Sequence, residues 1–130
     1  MILHTTLALA AAAAFINIWH VSRIGKVRMA EKIIHGDGGN PLLMQRMRAQ
    51  LNFVENTLLV LILIAAIDIS GKGGMWLPIW GGVFMLARVA HAIGMDSAGA
   101  NTLRMIGTIV TMLTQLGLAI VAIVIAKGML

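Results

Sequence analysis

Four apolar runs, each about 20 residues long, set the limits on what this chain can fold into: 2–22, 51–69, 75–95 and 103–126. A helix of about 20 residues crosses the hydrocarbon core of a bilayer, and in lipid every backbone N–H and C=O has to be satisfied within the protein. Helices satisfy that condition locally, so the expected fold class is all-α, a four-transmembrane-helix bundle. Nothing outside the runs is long enough to form a further domain, and 1–130 reads as one integral membrane unit. Composition excludes the soluble alternative. With 59% hydrophobic and 12% charged residues and a mean hydropathy of +0.92, so short a chain has too much surface for its volume to hide its apolar side chains from water. A secretory signal peptide is the alternative for the first run, with the alanines at 10–14 as a cleavage region. Against it, no Lys or Arg precedes the run, which continues past the alanines through Phe15, Ile16, Ile18 and Trp19.

The net charge of +5 does not point to nucleic acid, because the cations lie between apolar spans rather than on a solvated face. Arg23, Lys26, Arg28, Lys32, Arg46, Arg48, Arg88 and Arg104 flank or lie in the first and third loops, against Lys72 and Lys127 on the other side. The positive-inside rule then predicts loops one and three in the cytoplasm and both termini opposite. Trp76 and Trp80 fit an interfacial belt at that opposite face. The first loop, with Gly36, Gly38, Gly39 and Pro41, is the one flexible linker of any length. Small residues such as Ala87, Ala90 and Gly94 suit close helix packing in lipid.

Each ionisable side chain inside a span costs about 2.5–3.5 kcal/mol on insertion scales and needs a reason. Arg48, Asn52 and Glu55 are spaced i, i+4, i+7 and share one stripe of the second helix, with Gln50 beside them. Arg88, His91 and Met95 form a similar stripe on the third, and Arg104, Thr108, Thr111 and Gln115 on the fourth. Asn17 and Arg28 occupy the matching end of the first. Alternating helix direction brings all of these to one side of the membrane. Arg28, Arg48, Arg88 and Arg104 there outnumber the single acid, Glu55, so the group is complementary to a ligand carrying several negative charges.

Plainer explanations stand beside this one. Arginines at helix ends snorkel to phosphate headgroups, Arg48 and Glu55 can pair with each other, and His91 can serve packing alone. Thr108, Thr111 and Gln115 suit interhelical hydrogen bonds. Asp68 and Lys72, four apart, suit a surface pair. His4 and His20 have no partner at metal-ligand spacing, and His35 belongs to a loop, so no metal site is expected. The absence of cysteine excludes a protein thiol nucleophile, leaving any thiol chemistry to a substrate's sulfur.

The string Arg48-Ala-Gln-Leu-Asn52-Phe-Val-Glu55 on the second span, then Ala87-Arg88-Val-Ala-His91 on the third and Arg104 opening the fourth, resembles the MAPEG family, membrane-associated proteins in eicosanoid and glutathione metabolism. The resemblance covers nearly the whole chain, including a long basic first loop with Gly25-Lys26-Val27-Arg28. It implies a homotrimer with glutathione between neighbouring subunits near the cytoplasmic face. By position, Arg48, Asn52 and Glu55 look like the residues holding the glutamyl end, with Glu55 meeting its amino group, while Arg28 and Gln50 match holders of the glycyl carboxylate. Arg88 and His91 match a contact pair, and Arg104 matches the arginine placed against the thiol. An arginine and a helix N-terminus, with Asn101 as its cap, would favour the thiolate. The implied activity is a glutathione transferase, with peroxidase activity toward lipid hydroperoxides as an extension, acting on hydrophobic electrophiles from the bilayer.

The chain also departs from family patterns. It has no tyrosine, Met95 and Thr108 standing where some relatives carry one; Leu59 replaces a common proline; and Met105 replaces the serine that follows the arginine in prostaglandin E synthase, which argues against isomerase activity. Two other function classes compete: a non-catalytic lipid-binding or scaffold member of the family, and a small proton-coupled exporter using Glu55. The exporter suffers from the arginines around its only candidate carboxylate.

Overall fold

The structure, a computed structural model, describes all residues Met1–Leu130. Four helices account for it, with no strand: α1 (His4–Glu31), α2 (Pro41–Ile69), α3 (Trp76–Gly94) and α4 (Thr102–Ala126). All four are long and apolar enough to cross a membrane.

The expected long basic loop is corrected here. α1 continues nine residues past the apolar run and α2 begins ten residues before its own, leaving only residues 32–40 between them. The apolar run ends where charge begins, but i→i+4 hydrogen bonding needs no lipid. At about 1.5 Å per residue, α1 and α2 reach about 42 Å, more than the hydrocarbon thickness. The extensions hold together because Ile24 and Val27 of α1 pack on Leu43 of α2 in a small cluster of their own. Their ends are specified locally. Lys32 takes a left-handed conformation (φ 56°) as the α1 C-cap, and Asn40 accepts from the Leu43 amide at 2.9 Å ahead of Pro41 at the first helical position.

Around the bundle the helices run α1, α2, α4, α3. α2 and α3 meet across the middle, and α1 does not touch α4. The apolar core joins Leu9 and Ala13 of α1, Phe53, Val60, Ile64 and Ile67 of α2, Leu77, Phe84 and Met85 of α3, and Leu118 of α4. α3 and α4 approach closely because glycines line their seam. A Cβ at Gly107 would overlap His91 and the Ala87 carbonyl, and one at Gly94 would overlap the Arg104 backbone. Ring order sets α4 beside α2, and the glycines set it against α3, so the first turns of α4 meet polar stripes from both.

At the opposite end Asp68 accepts from the amide and hydroxyl of Thr6, both at 2.9 Å, and Lys72 forms no ion pair. The expected Asp68–Lys72 pair is therefore replaced by an interhelical tie, since the first amides of α1 lack helical partners and the carboxylate can reach one.

Candidate functional site

Where α2, α3 and α4 meet at the arginine-rich end, Arg48, Leu51, Asn52, Glu55, His91, Met95 and Arg104 line a recess of about 200 Å³. α2 contributes its i, i+4, i+7 stripe, α3 its last turn, and α4 its first. Arg104 sits in that first turn because Asn101 caps the helix, its side-chain oxygen accepting from the amides of Leu103 (2.9 Å) and Arg104 (3.4 Å). Arg48 and Glu55 form no ion pair with each other or with any other residue. The guanidinium of Arg104 likewise makes no hydrogen bond within the chain. All three are exposed in the single chain. The recess thus presents two uncompensated cations and one uncompensated anion.

Beneath it lies Arg88, 1% exposed. Its guanidinium donates to Thr111 Oγ1 of α4 at 2.7 Å, Asn52 Oδ1 of α2 at 2.5 Å and His91 Nδ1 of its own helix at 3.1 Å. Beside the recess Gln115 Nε2 donates to Asn56 Oδ1 at 2.8 Å, a second link between α4 and α2. Thr111 and Gln115 therefore do bond across helices. Thr108 does not: its hydroxyl donates back to the Arg104 carbonyl at 2.9 Å, within α4.

A membrane bundle with these motifs in this order is matched by the family model described as MAPEG family over residues 6–124. The chain belongs to the MAPEG family. No curated protein matches it. The family includes glutathione transferases and other enzymes, and this MAPEG chain places five of the eight residues singled out from sequence, Arg48, Asn52, Glu55, His91 and Arg104, around one recess. The other three lie outside it. Arg88 forms its base without lining it. Arg28 and Gln50 line a separate depression on the α1–α2 side with Ile24, Met47, Arg48, Leu51 and Val54. Arg28 is occupied there with the loop, donating to the carbonyls of Gly36 at 2.8 Å and of Ile33 and Ile34 at 3.4 Å, while Gln50 donates to Asn17 Oδ1 at 3.2 Å. Arg48 belongs to both depressions and joins them.

Sequence reasoning missed a second polar group. Asp96, just after α3, receives Arg23 of α1 at 2.5 Å and Arg46 of α2 at 3.2 Å. Arg23 also lies over the Trp19 ring at 4.5 Å and donates to the Ala92 carbonyl at 3.3 Å, and Arg46 donates to the Arg23 carbonyl at 2.9 Å. This tie holds the loop between Met95 and Arg104, and so the rim of the recess. Its one sequence signal is that Asp96 is the sole acid between α3 and α4. Gly107 was missed too, for its role depends on which helix lies opposite.

Proposed function

We propose that this protein is a glutathione-dependent transferase acting on hydrophobic electrophiles from the bilayer. The observation that carries the reading is the pairing of two free guanidinium groups, Arg48 and Arg104, with one free carboxylate, Glu55, around one recess. Glutathione's glutamyl carboxylate, its ammonium and its thiolate form the matching set, the glycyl carboxylate being left for contacts outside this recess. In this reading Arg48 and Asn52 take the glutamyl carboxylate and Glu55 its ammonium. Arg104, at the N-terminus of α4, stands against the thiol, where a positive charge and a helix end both favour the thiolate. The sulfur then attacks the electrophilic carbon and expels the leaving group with its electron pair, while the thiol proton departs to solvent.

The same geometry supports assembly. A 200 Å³ recess falls below the roughly 300–1,000 Å³ of ordinary ligand sites, and its Glu55 lies near the middle of α2, exposed. A charge facing lipid is costly, so covering it with neighbouring copies, as in a homotrimer, shields it from lipid and completes a site in which the ligand's ammonium is its partner. A neighbour's Arg28–Gln50 depression would then supply the glycyl-carboxylate contacts. By the positive-inside rule the recess faces the cytoplasm, with both termini opposite. The decisive experiment follows glutathione conjugation to a generic aryl halide by the purified protein and by Arg104→Ala. Conjugation above the background rate that falls by about 10²-fold or more in the variant, as for loss of a group that stabilises developing charge, supports the proposal. Parent activity no greater than background removes it, and if glutathione at millimolar concentration also fails to bind by calorimetry, a non-catalytic lipid-binding or scaffold member takes its place.

A further inference from the structure

Arg88 is the largest side chain sealed inside the bundle, and its partners show a selective pattern. A guanidinium only donates. Asn52 must therefore accept through Oδ1, which leaves its Nδ2 amide for the recess. His91 must accept through Nδ1, so in its neutral form the ring proton sits on Nε2. Neither Asn52 Nδ2 nor His91 Nε2 bonds within the chain, and neither is sealed from the surface in the way that His20 Nε2 is. Both residues line the recess.

We infer that Arg88 is a positioning residue that acts through Asn52 and His91, fixing the amide orientation of one and the tautomer of the other so that both turn donors toward the recess. With Arg48 and Arg104 added, every polar side chain of the rim other than Glu55 turns a donor toward the recess, and Glu55 is its one strong acceptor. A rim of this kind selects a ligand rich in carboxylates with a single cationic group. That ligand half rests on the glutathione reading above; the amide and tautomer half stands without it. His91 in this arrangement is a hydrogen-bond donor to the ligand and does not take the thiol proton. Arg88 contributes without touching substrate, which is why it can be buried.

The test uses the full chain in lipid nanodiscs with ¹⁵N-labelled histidine, His91 being assigned by the signal lost in His91→Gln. The expected result at neutral pH is a pyridine-type Nδ1 and a pyrrole-type Nε2 on His91, with both tautomers populated in Arg88→Met. A protonated Nδ1 in the parent protein overturns the inference, as does a tautomer unchanged in a folded Arg88→Met; should that variant not fold, the parent spectrum still decides. A purely structural Arg88 would leave the tautomer unconstrained. Asn52→Asp, which keeps an acceptor for Arg88 but removes the donor, is expected to weaken glutathione binding by calorimetry about 10- to 100-fold, the scale of a hydrogen bond to a charged group. Unchanged affinity overturns the ligand half. A parent protein with the expected tautomer but no affinity for glutathione sinks the transferase reading while the positioning role stands.

Discussion

Asp96→Asn isolates the charge of the tie between α1, α2 and the α3–α4 loop while preserving its shape and one acceptor oxygen. Two guanidinium groups then lose their counterion. The Arg23 side chain is 11% exposed, that of Arg46 19% and the carboxylate 30%. Removing one partner of a fully buried pair costs about 3–5 kcal/mol, whereas exposed pairs are worth under about 1 kcal/mol. Partial exposure places this tie between those limits, at about 1–3 kcal/mol. Arg46 makes the longer and more exposed contact, so Arg46→Gln is expected to cost less than Arg23→Gln. The double variant Arg46→Gln/Asp96→Asn should cost less than its parts together, since both remove one interaction. Reversible unfolding of the full chain by SDS titration in mixed micelles, followed through helical circular dichroism, gives each value. A loss for Asp96→Asn below about 0.5 kcal/mol, the range of ordinary surface substitutions, would refute the reasoning, and so would strict additivity with Arg46→Gln. Because the tie also holds the segment between Met95 and Arg104, glutathione affinity is expected to fall in the same variant even where it remains folded.

Three further substitutions test the packing and the charge pattern separately. Gly107→Val drives a branched side chain into His91 and the Ala87 carbonyl, and since backbone cannot rotate aside, a loss above the roughly 1–3 kcal/mol of ordinary overpacking is expected in the same titration. Gly25→Ala, which meets nothing within 4 Å, should be neutral or stabilising by up to about 1 kcal/mol, and equal losses at the two glycines would contradict the close α3–α4 seam. Glu55→Gln is expected to weaken glutathione binding about 10-fold or more, as for a lost charge-assisted contact, yet leave unchanged the binding of a glutathione analogue lacking the α-amino group. If calorimetry shows both ligands weakened alike, Glu55 does not meet the ammonium.

What could be foreseen from sequence was what a single helix determines. The Arg48–Asn52–Glu55 stripe needs only 3.6 residues per turn, and Asn101 as a cap needs only the residue type ahead of an apolar run; both hold. Hydropathy misplaced the ends of α1 and α2 because it measures transfer into lipid, whereas the helices end where Lys32 turns left-handed and Asn40 caps. Partner choice between helices was hidden. Asp68 lay four residues from Lys72 in sequence but beside Thr6 in space, and Arg88 read as one of four equivalent ligand arginines until the ring order α1, α2, α4, α3 set Thr111 and Asn52 on either side of it.

That difference sorts the arginines by function. Arg23, Arg28, Arg46 and Arg88 all find acceptors within the chain, whereas Arg48 and Arg104 find none. A buried guanidinium without an acceptor is unstable, so the four with acceptors sit inside or under loops, Arg88 leaving only its Nε unpartnered, and the pair without acceptors lines the recess with an acid that also lacks a partner. Net charge alone would have weighted all of them equally. Among the six arginines the hydrogen bonds leave two free, and at the recess these two cations stand with one free anion; it is that local set, rather than the +5 of the whole chain, that a ligand has to match.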